Sequence, residues 1–398
     1  MIQIAIIGFG TVGTGVAKVI SENADEIEKK LGEPLHLKRI LVRRFQDGAY
    51  RQLMTNDFAE IENDPEIRVV VETIGGVDAA YAYTKRALCA GKHVVTANKQ
   101  LIAEYGCELL VLAREKHVHY LFEASVGGGI PILHPLVQCL SANRIDEIYG
   151  ILNGTTNYIL SRMEHAEVPF QAALLEAQEK GYAEADPTAD VEGIDAGRKT
   201  CILADLAFAF QVNPNQIPIE GISKLTLEDM EIVKRAGYRL KLLGRAVRLP
   251  GEKRTAYVAP HLVPEKNPIS NVEDVFNAVM IRGNAVGEVM FYGQGAGEMP
   301  TASACVSDII EALVKPFSQR GICWDANSGG FVDPDVLYSR YYFRIRGTLR
   351  EAVAAFDAVE VLTENDEMTA SLTDEISGKQ SRTSAQVLSV QACFRVLA

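Results

Sequence analysis

The stretch Met1-Ile-Gln-Ile-Ala-Ile-Ile-Gly-Phe-Gly-Thr-Val-Gly13 decides the fold. Its first seven residues form a short, β-branched run of the kind buried in a parallel sheet. Glycines follow at once in the spacing G-x-G-x-x-G, which serves the tight turn, the approach of backbone to a pyrophosphate and the packing of helix on strand. A helical pattern runs from Val12 to about Leu31, so the phosphates of a dinucleotide would meet the positive end of a helix. Alone the motif is weak; between a strand and a helix it is specific.

Working outward, strand patterns at 35–42, 68–73, 93–96 and 118–122 alternate with helical ones at 79–90 and 99–116. This is βαβ alternation and predicts an α/β fold with a Rossmann doubly wound parallel sheet. Gly8, Gly10, Thr11, Val12 and Gly13 in the turn, with Thr73 at a strand end, are the cofactor-binding candidates. An NAD-binding second strand normally ends in a carboxylate for the ribose 2′-hydroxyl. Here it ends Leu41-Val42-Arg43-Arg44, with no carboxylate until Asp47. Two guanidiniums suit a 2′-phosphate, so NADP is the expected cofactor and NAD the alternative. The competing reading makes Arg43 and Arg44 plain solvated surface. Lys99, in Thr96-Ala-Asn-Lys99, follows a strand end and opens a helix, where a cation opposes the helix dipole; that favours a ligand-facing role.

With 398 residues the chain is long enough for two or three domains. Lys+Arg 40 against Asp+Glu 52 leaves a net charge of -12, which argues against nucleic acid or an anionic membrane as partner. Seven cysteines, Cys323 among them, form no C-x-x-C pair; most read as small core residues, and a reducing cytoplasm is the simplest compartment for them. The histidines lack zinc-site spacing. The apolar start is broken by glycines and has no basic leader, unlike a signal peptide or membrane span.

Beyond the nucleotide fold, Glu123-Ala-Ser-Val-Gly-Gly-Gly-Ile-Pro131 carries three consecutive glycines. Two readings stand: a hinge between domains, or a hard-cation site of backbone oxygens with the Glu123 carboxylate. A strand from Arg144 leads into Asn153-Gly-Thr-Thr-Asn157, where side chains cap a helix or meet a small polar ligand. A helix over 169–181 delivers the chain to Gly181-Tyr-Ala-Glu-Ala-Asp-Pro-Thr-Ala-Asp-Val-Glu-Gly-Ile-Asp-Ala-Gly-Arg-Lys199. Its acidic side chains would grip an ammonium group. In the apolar helix that follows, Asp195 and Lys199 stand one turn apart on one face and can pair; the bland alternative is an exposed salt bridge. Helical and strand patterns then follow at 225–241, 239–248, 254–263 and 275–282, with a glycine-rich turn over 291–304 opening a helix to about Val314. In the tail, 340–346 reads as a strand, 349–359 as a helix and 387–396 as a closing strand, while the polar stretch 363–385 reads as a mobile loop.

Six motifs in order, the glycine turn, Thr-Ala-Asn-Lys99, Glu123 to Pro131, Asn153-Gly-Thr-Thr-Asn-Tyr-Ile-Leu160, Gly181 to Lys199 and Gly293-Gln-Gly-Ala-Gly297, resemble the homoserine dehydrogenases over roughly residues 1 to 330. The resemblance implies reversible NAD(P)-dependent interconversion of L-aspartate 4-semialdehyde and L-homoserine, a step toward threonine, methionine and isoleucine. It implies Lys199 as acid/base, Lys99 at the cofactor and substrate, and Glu184 and Asp195 in contact with homoserine with Asp190 nearby; Thr155, at the helix start, is the further substrate candidate. It places Gly181 and Gly297 at the nicotinamide cofactor and a monovalent cation, sodium by family habit, at Glu123, Val126, Gly128 and Ile130. It further implies a Rossmann domain over 1–128 completed by about 300–330, a substrate-binding and dimerisation domain over 129–299, a homodimer or homotetramer, and a truncated ACT-like C-terminal region over 335–398. The tail departs from the family's Asp-x-Pro-Gly loop, with Arg346-Gly-Thr-Leu-Arg350 in its place, so amino-acid feedback is not expected of it.

Overall fold

The computed structural model describes residues 1–318, 322, 324–326, 329–356 and 359–397. It divides into two compact units: Met1–Asn143, Cys201–Pro214 and Gly293–Ser328 form unit 1, and Arg144–Thr200, Asn215–Tyr292 and Gly329–Ala398 form unit 2. No helix among the described residues is long and apolar enough to cross a membrane.

Unit 1 begins with β1 (Ile2–Ile7), α1 (Thr11–Glu22), α2 (Ala24–Leu31) and β2 (Leu35–Leu41). The single helix expected from Val12 to Leu31 is thus two, because Asn23 leaves helical geometry at φ -109 and ψ 23. There follow β3 (Met54–Thr55), α3 (Ala59–Glu62), β4 (Ile67–Glu72), α4 (Asp78–Cys89), β5 (His93–Thr96), α5 (Lys99–Glu115) and β6 (Tyr120–Leu121). All six strands are parallel, in the order β3-β2-β1-β4-β5-β6. This is the doubly wound dinucleotide-binding order, whose direction reverses between β1 and β4. Both strands are nearly continuous apolar runs, with Ile4, Ile6, Val69 and Val71 fully buried, as a sheet covered on both faces requires.

Unit 2 contributes β7 (Ile145–Ile151), α6 (Gly154–Ala166), α7 (Phe170–Glu179) and α8 (Thr188–Val191). After them come α9 (Ile194–Phe208), which is counted with unit 1 from Cys201 on, then α10 (Leu227–Arg235), β8 (Tyr238–Leu249), β9 (Lys253–Pro264), β10 (Phe276–Gly283) and β11 (Gly287–Gln294), whose last two residues are likewise counted with unit 1. The overlapping helix and strand patterns near Arg239 resolve into α10 and β8, with Gly237 at φ +79 breaking the chain between them. Strand β11 replaces the first part of the turn expected over 291–304. It lies at the sheet edge with alternate residues exposed, so only a half-strength apolar pattern marks it in sequence. The helix expected to follow is α11 (Glu298–Val314), in unit 1, where Gly15 lets it approach α1: a Cβ on Gly15 would sit 2.8 Å from the Glu298 carbonyl oxygen.

The tail forms β12 (Tyr338–Ser339), β13 (Tyr341–Ile345), α12 (Leu349–Phe356), β14 (Val359–Glu364), β15 (Thr369–Thr373), β16 (Ile376–Ser377), α13 (Gly378–Val387) and β17 (Val390–Val396). The mobile loop expected over 363–385 is therefore corrected to ordered structure. Strand β15 pairs antiparallel with β13 and β14, and all five of its residues, Thr369-Ala-Ser-Leu-Thr373, are buried. Composition misleads here because the threonine hydroxyls find backbone acceptors, Thr369 on Gly347 at 2.9 Å and Thr373 on Asp374 at 2.7 Å. Strand β17 pairs with both β13 and β9, so the tail continues the sheet of unit 2 as β11-β10-β7-β8-β9-β17-β13-β15-β14.

Candidate active site

In unit 1 the glycine turn leaves β1 where the sheet order reverses. Gly8 stands at φ +91, a left-handed conformation that favours glycine. A Cβ on Gly13 would lie 2.2 Å from the Gly8 carbonyl oxygen, so this turn admits no side chain there. The Thr73 hydroxyl donates to the Gly8 carbonyl at 2.8 Å and ties the end of β4 to the turn. Gly10 is the N-cap of α1 and makes no side-chain cap, and Thr11 and Val12 open that helix. The cradle, the helix N-terminus and the switch point together fit a dinucleotide pyrophosphate. Arg43 and Arg44 follow β2, both exposed. Gly297 is the N-cap of α11, and the next residue, Glu298, pairs with Lys18 of α1 at 2.6 Å.

Sequence reasoning missed Glu72, at the end of β4. It is fully buried, accepts the Thr96 hydroxyl at 2.5 Å and the Ile74 N–H at 2.6 Å, and so joins β4 to β5. Burial pushes its carboxyl up from 4.5 to about 7, against the opposing bonds from Thr96, Ile74 and Asn98. Asn98 accepts the Leu101 N–H at 3.1 Å as N-cap of α5 and donates to the carbonyls of Ile74 and Gly76 at 3.2 and 2.7 Å. Lys99, half-buried, is the first residue of that capped helix.

The Glu123 segment also lies in unit 1. The buried Glu123 carboxylate accepts the N–H groups of Ile132, Leu133 and His134 at 2.6, 2.8 and 2.7 Å. Its oxygens are thus directed at backbone amides. The backbone is another matter. Gly128 stands at φ +53, and a Cβ there would meet Gly295 at 2.6 Å. Among the described residues no backbone N–H donates to the carbonyls of Val126, Gly128 or Ile130. No group of three or more His, Cys, Asp or Glu side chains among the described residues could hold a metal. The segment therefore fits a hard monovalent cation through backbone oxygens.

Unit 2 assembles the acid/base candidates. Strand β7 ends at Ile151, and Asn153 caps α6 by accepting the Thr156 N–H at 2.8 Å. The Asn153 amide then donates to Asp190 Oδ1 at 2.7 Å and to Asp195 Oδ2 at 2.9 Å. Asp195 Oδ2 also receives Lys199 Nζ at 2.8 Å, and Lys199 Nζ reaches the Leu152 carbonyl at 2.7 Å. Lys199 and Asp195 are only 7% and 6% exposed, so the exposed-salt-bridge reading is overturned. Buried charges of this kind persist only when paired and hydrogen-bonded, as these are.

The structure thus brings together Asp190, Asp195 and Lys199 and adds Asn153, which sequence reasoning noticed only as part of a motif. The Asn residue before a helix signals a cap; its two carboxylate partners lie 37 and 42 positions away and leave no local trace. Thr155 is buried and donates to the Tyr182 carbonyl at 2.6 Å, anchoring the start of the acidic loop. Glu184 is exposed, with its carbonyl held by Gln178 at 3.0 Å. Gly181 follows α7 at φ +73. Of the cysteines, Cys107, Cys201 and Cys305 are buried, Cys393 half-buried, and Cys89 and Cys139 exposed. Cys323 lies outside the described residues.

Residues 8–123 match the family profile described as homoserine dehydrogenase, NAD binding domain, and residues 131–310 that described as homoserine dehydrogenase. The homoserine dehydrogenase of Bacillus subtilis is 42% identical over 367 residues, covering 90% of this chain and 84% of that protein. That of Lactococcus lactis is 38% identical, covering 90% and 87%. A crystal structure of a homoserine dehydrogenase from Thiobacillus denitrificans superposes with a TM-score of 0.91 at 35% identity, covering 100% of this chain and 98% of that one. A hyperthermophilic archaeal homoserine dehydrogenase solved in complex with NADPH gives a TM-score of 0.67 at 28% identity, covering 80% and 99%. The chain belongs to the homoserine dehydrogenase family of NAD(P)-dependent oxidoreductases.

Proposed function

We propose that this homoserine dehydrogenase uses Lys199 as its proton donor and acceptor, and NADP in preference to NAD. The carrying observation is the buried Lys199–Asp195 pair at 2.8 Å, held in a network with Asn153 and Asp190. Carboxylates beside a lysine suit a substrate that carries both an ammonium group and a reacting oxygen. Asp190, Asp195, Glu184 and Thr155 hold the substrate end of L-homoserine or L-aspartate 4-semialdehyde. In reduction the Lys199 ammonium gives its proton to the carbonyl oxygen as negative charge develops there, and Lys99 helps stabilise that charge. In oxidation neutral Lys199 takes the hydroxyl proton. Bound nicotinamide supplies or accepts the hydride.

Gly8, Gly10, Thr11, Val12, Gly13 and Thr73 hold the pyrophosphate side, with Gly181 and Gly297 as further cofactor contacts. Arg43 and Arg44 take the 2′-phosphate; their exposure just after β2 supports that role. A sodium ion would be held by the backbone oxygens of Glu123, Val126, Gly128 and Ile130, where it would neutralise local carbonyl dipoles. The antiparallel order β17-β13-β15-β14, with α12 and α13, supports an ACT-like reading of the tail. The protein works in the cytoplasm as a homodimer or homotetramer. The test is homoserine-dependent formation of NADPH, followed by absorbance, with Lys199→Ala as the control. No NADPH formation by the unaltered protein would refute the activity; full turnover by Lys199→Ala would refute only the assignment of the lysine.

A further inference from the structure

We propose that Asn153 is the positioning residue of this site: its side-chain amide fixes Asp190 and Asp195 against each other and so sets the position and proton affinity of Lys199. This rests on the acid/base reading of Lys199 and extends it to a residue that need not touch the substrate.

The geometry makes one amide do two separable jobs. The Oδ1 end accepts the Thr156 N–H at 2.8 Å and caps α6, a local role that Ser or Asp fills almost as well. The Nδ2 end donates to Asp190 at 2.7 Å and to Asp195 at 2.9 Å, a role that needs a neutral double donor. Two ionised carboxylates converging on one point repel each other, and an amide between them is a group that donates to both without adding charge. Asp195 Oδ2 accepts from Asn153 and from Lys199 at once, so the amide also draws off part of the charge that the lysine feels. Lys199 is further held by the carbonyl of Leu152, the residue just before Asn153, so a shift of this short segment moves both anchors of the ammonium together.

Three variants separate the jobs. Asn153→Ser keeps a cap and removes the bridge; Asn153→Ala removes both; Asn153→Asp keeps the cap and replaces the bridge with negative charge. For Asn153→Ser the expected result is a melting temperature and NADPH affinity close to the unaltered protein. Its kcat should fall about tenfold or more and its KM for homoserine should rise, since a shift of about 1 Å in a reacting group reaches that size. Asn153→Ala should lose the same activity and also melt lower. In Asn153→Asp the added carboxylate favours the Lys199 ammonium, so the acidic limb of kcat/KM for homoserine oxidation should move to higher pH. The proposal is overturned if Asn153→Ser keeps kcat and KM within about twofold, or if its activity, NADPH binding and melting temperature fall together. It is also overturned if the pH profile of Asn153→Asp does not move. Lys199→Ala run alongside tells the two failures apart. An inactive Lys199→Ala with an unaffected Asn153→Ser removes only this inference, whereas an active Lys199→Ala removes the reading beneath it.

Discussion

Lys199 Nζ lies 2.8 Å from Asp195 Oδ2, one helical turn away along α9, and both side chains are buried. Removing either partner leaves the other as a buried charge with less compensation, so the two substitutions should differ in kind. Lys199→Ala should lower turnover by roughly 10²-fold or more with NADPH binding nearly unchanged. Asp195→Asn keeps the shape but withdraws the anion that favours the ammonium; its basic limb for aldehyde reduction should move to lower pH. Steady-state kinetics across pH, with NADPH titration by fluorescence, checks both.

Arg43 and Arg44 are exposed side by side after β2, with no carboxylate partner among the described residues. Replacing both with Ser should raise KM for NADPH by at least tenfold and leave KM for NADH within about twofold, because the 2′-phosphate contacts are charge-assisted. Equal changes with the two cofactors would reject the 2′-phosphate role.

Glu72 gives a stability prediction with a definite sign. Its folded-state carboxyl titrates near 7 against an ordinary 4.5, so between those values the folded protein holds a proton that the unfolded chain has released. Its contribution is complete below pH 4.5 and is lost as pH rises through 7. Glu72→Gln should flatten the fall in unfolding free energy between pH 5 and 8, a term of up to about 3 kcal/mol. Denaturant melts at several pH values measure it; an unchanged slope would refute it.

The tail carries a buried ion pair of its own. Arg344 donates to Asp229 Oδ1 at 2.7 Å and Oδ2 at 2.9 Å, and the Tyr342 hydroxyl donates to the same carboxylate at 2.9 Å. Asp229 is fully buried at the start of α10, so this pair pins β13 to that helix inside unit 2. Asp229→Ala should destabilise by about 3–5 kcal/mol, the size expected when one partner of a buried pair is removed. Thermal unfolding measures it, and a loss below about 1 kcal/mol would refute the role given to the pair.

What the sequence determined by itself was what depends on short range. The glycine and β-branched positions between Ile2 and Gly13 demand a strand, a tight turn and a helix, because only glycine tolerates the φ at Gly8 and the space at Gly13. The i,i+4 spacing of Asp195 and Lys199 likewise requires that they share a helix face. Only the tertiary structure decided that this face is buried, that Asn153 reaches across 37 and 42 residues to two carboxylates, and that Glu123 points its oxygens at backbone amides. It also turned the polar run Thr369-Ala-Ser-Leu-Thr373 into a buried strand. The physical reason is common to all four. Local periodicity states which side chains lie on one face, but the partners that make a buried polar group tolerable come from distant segments, and their meeting is set by how strands and helices pack.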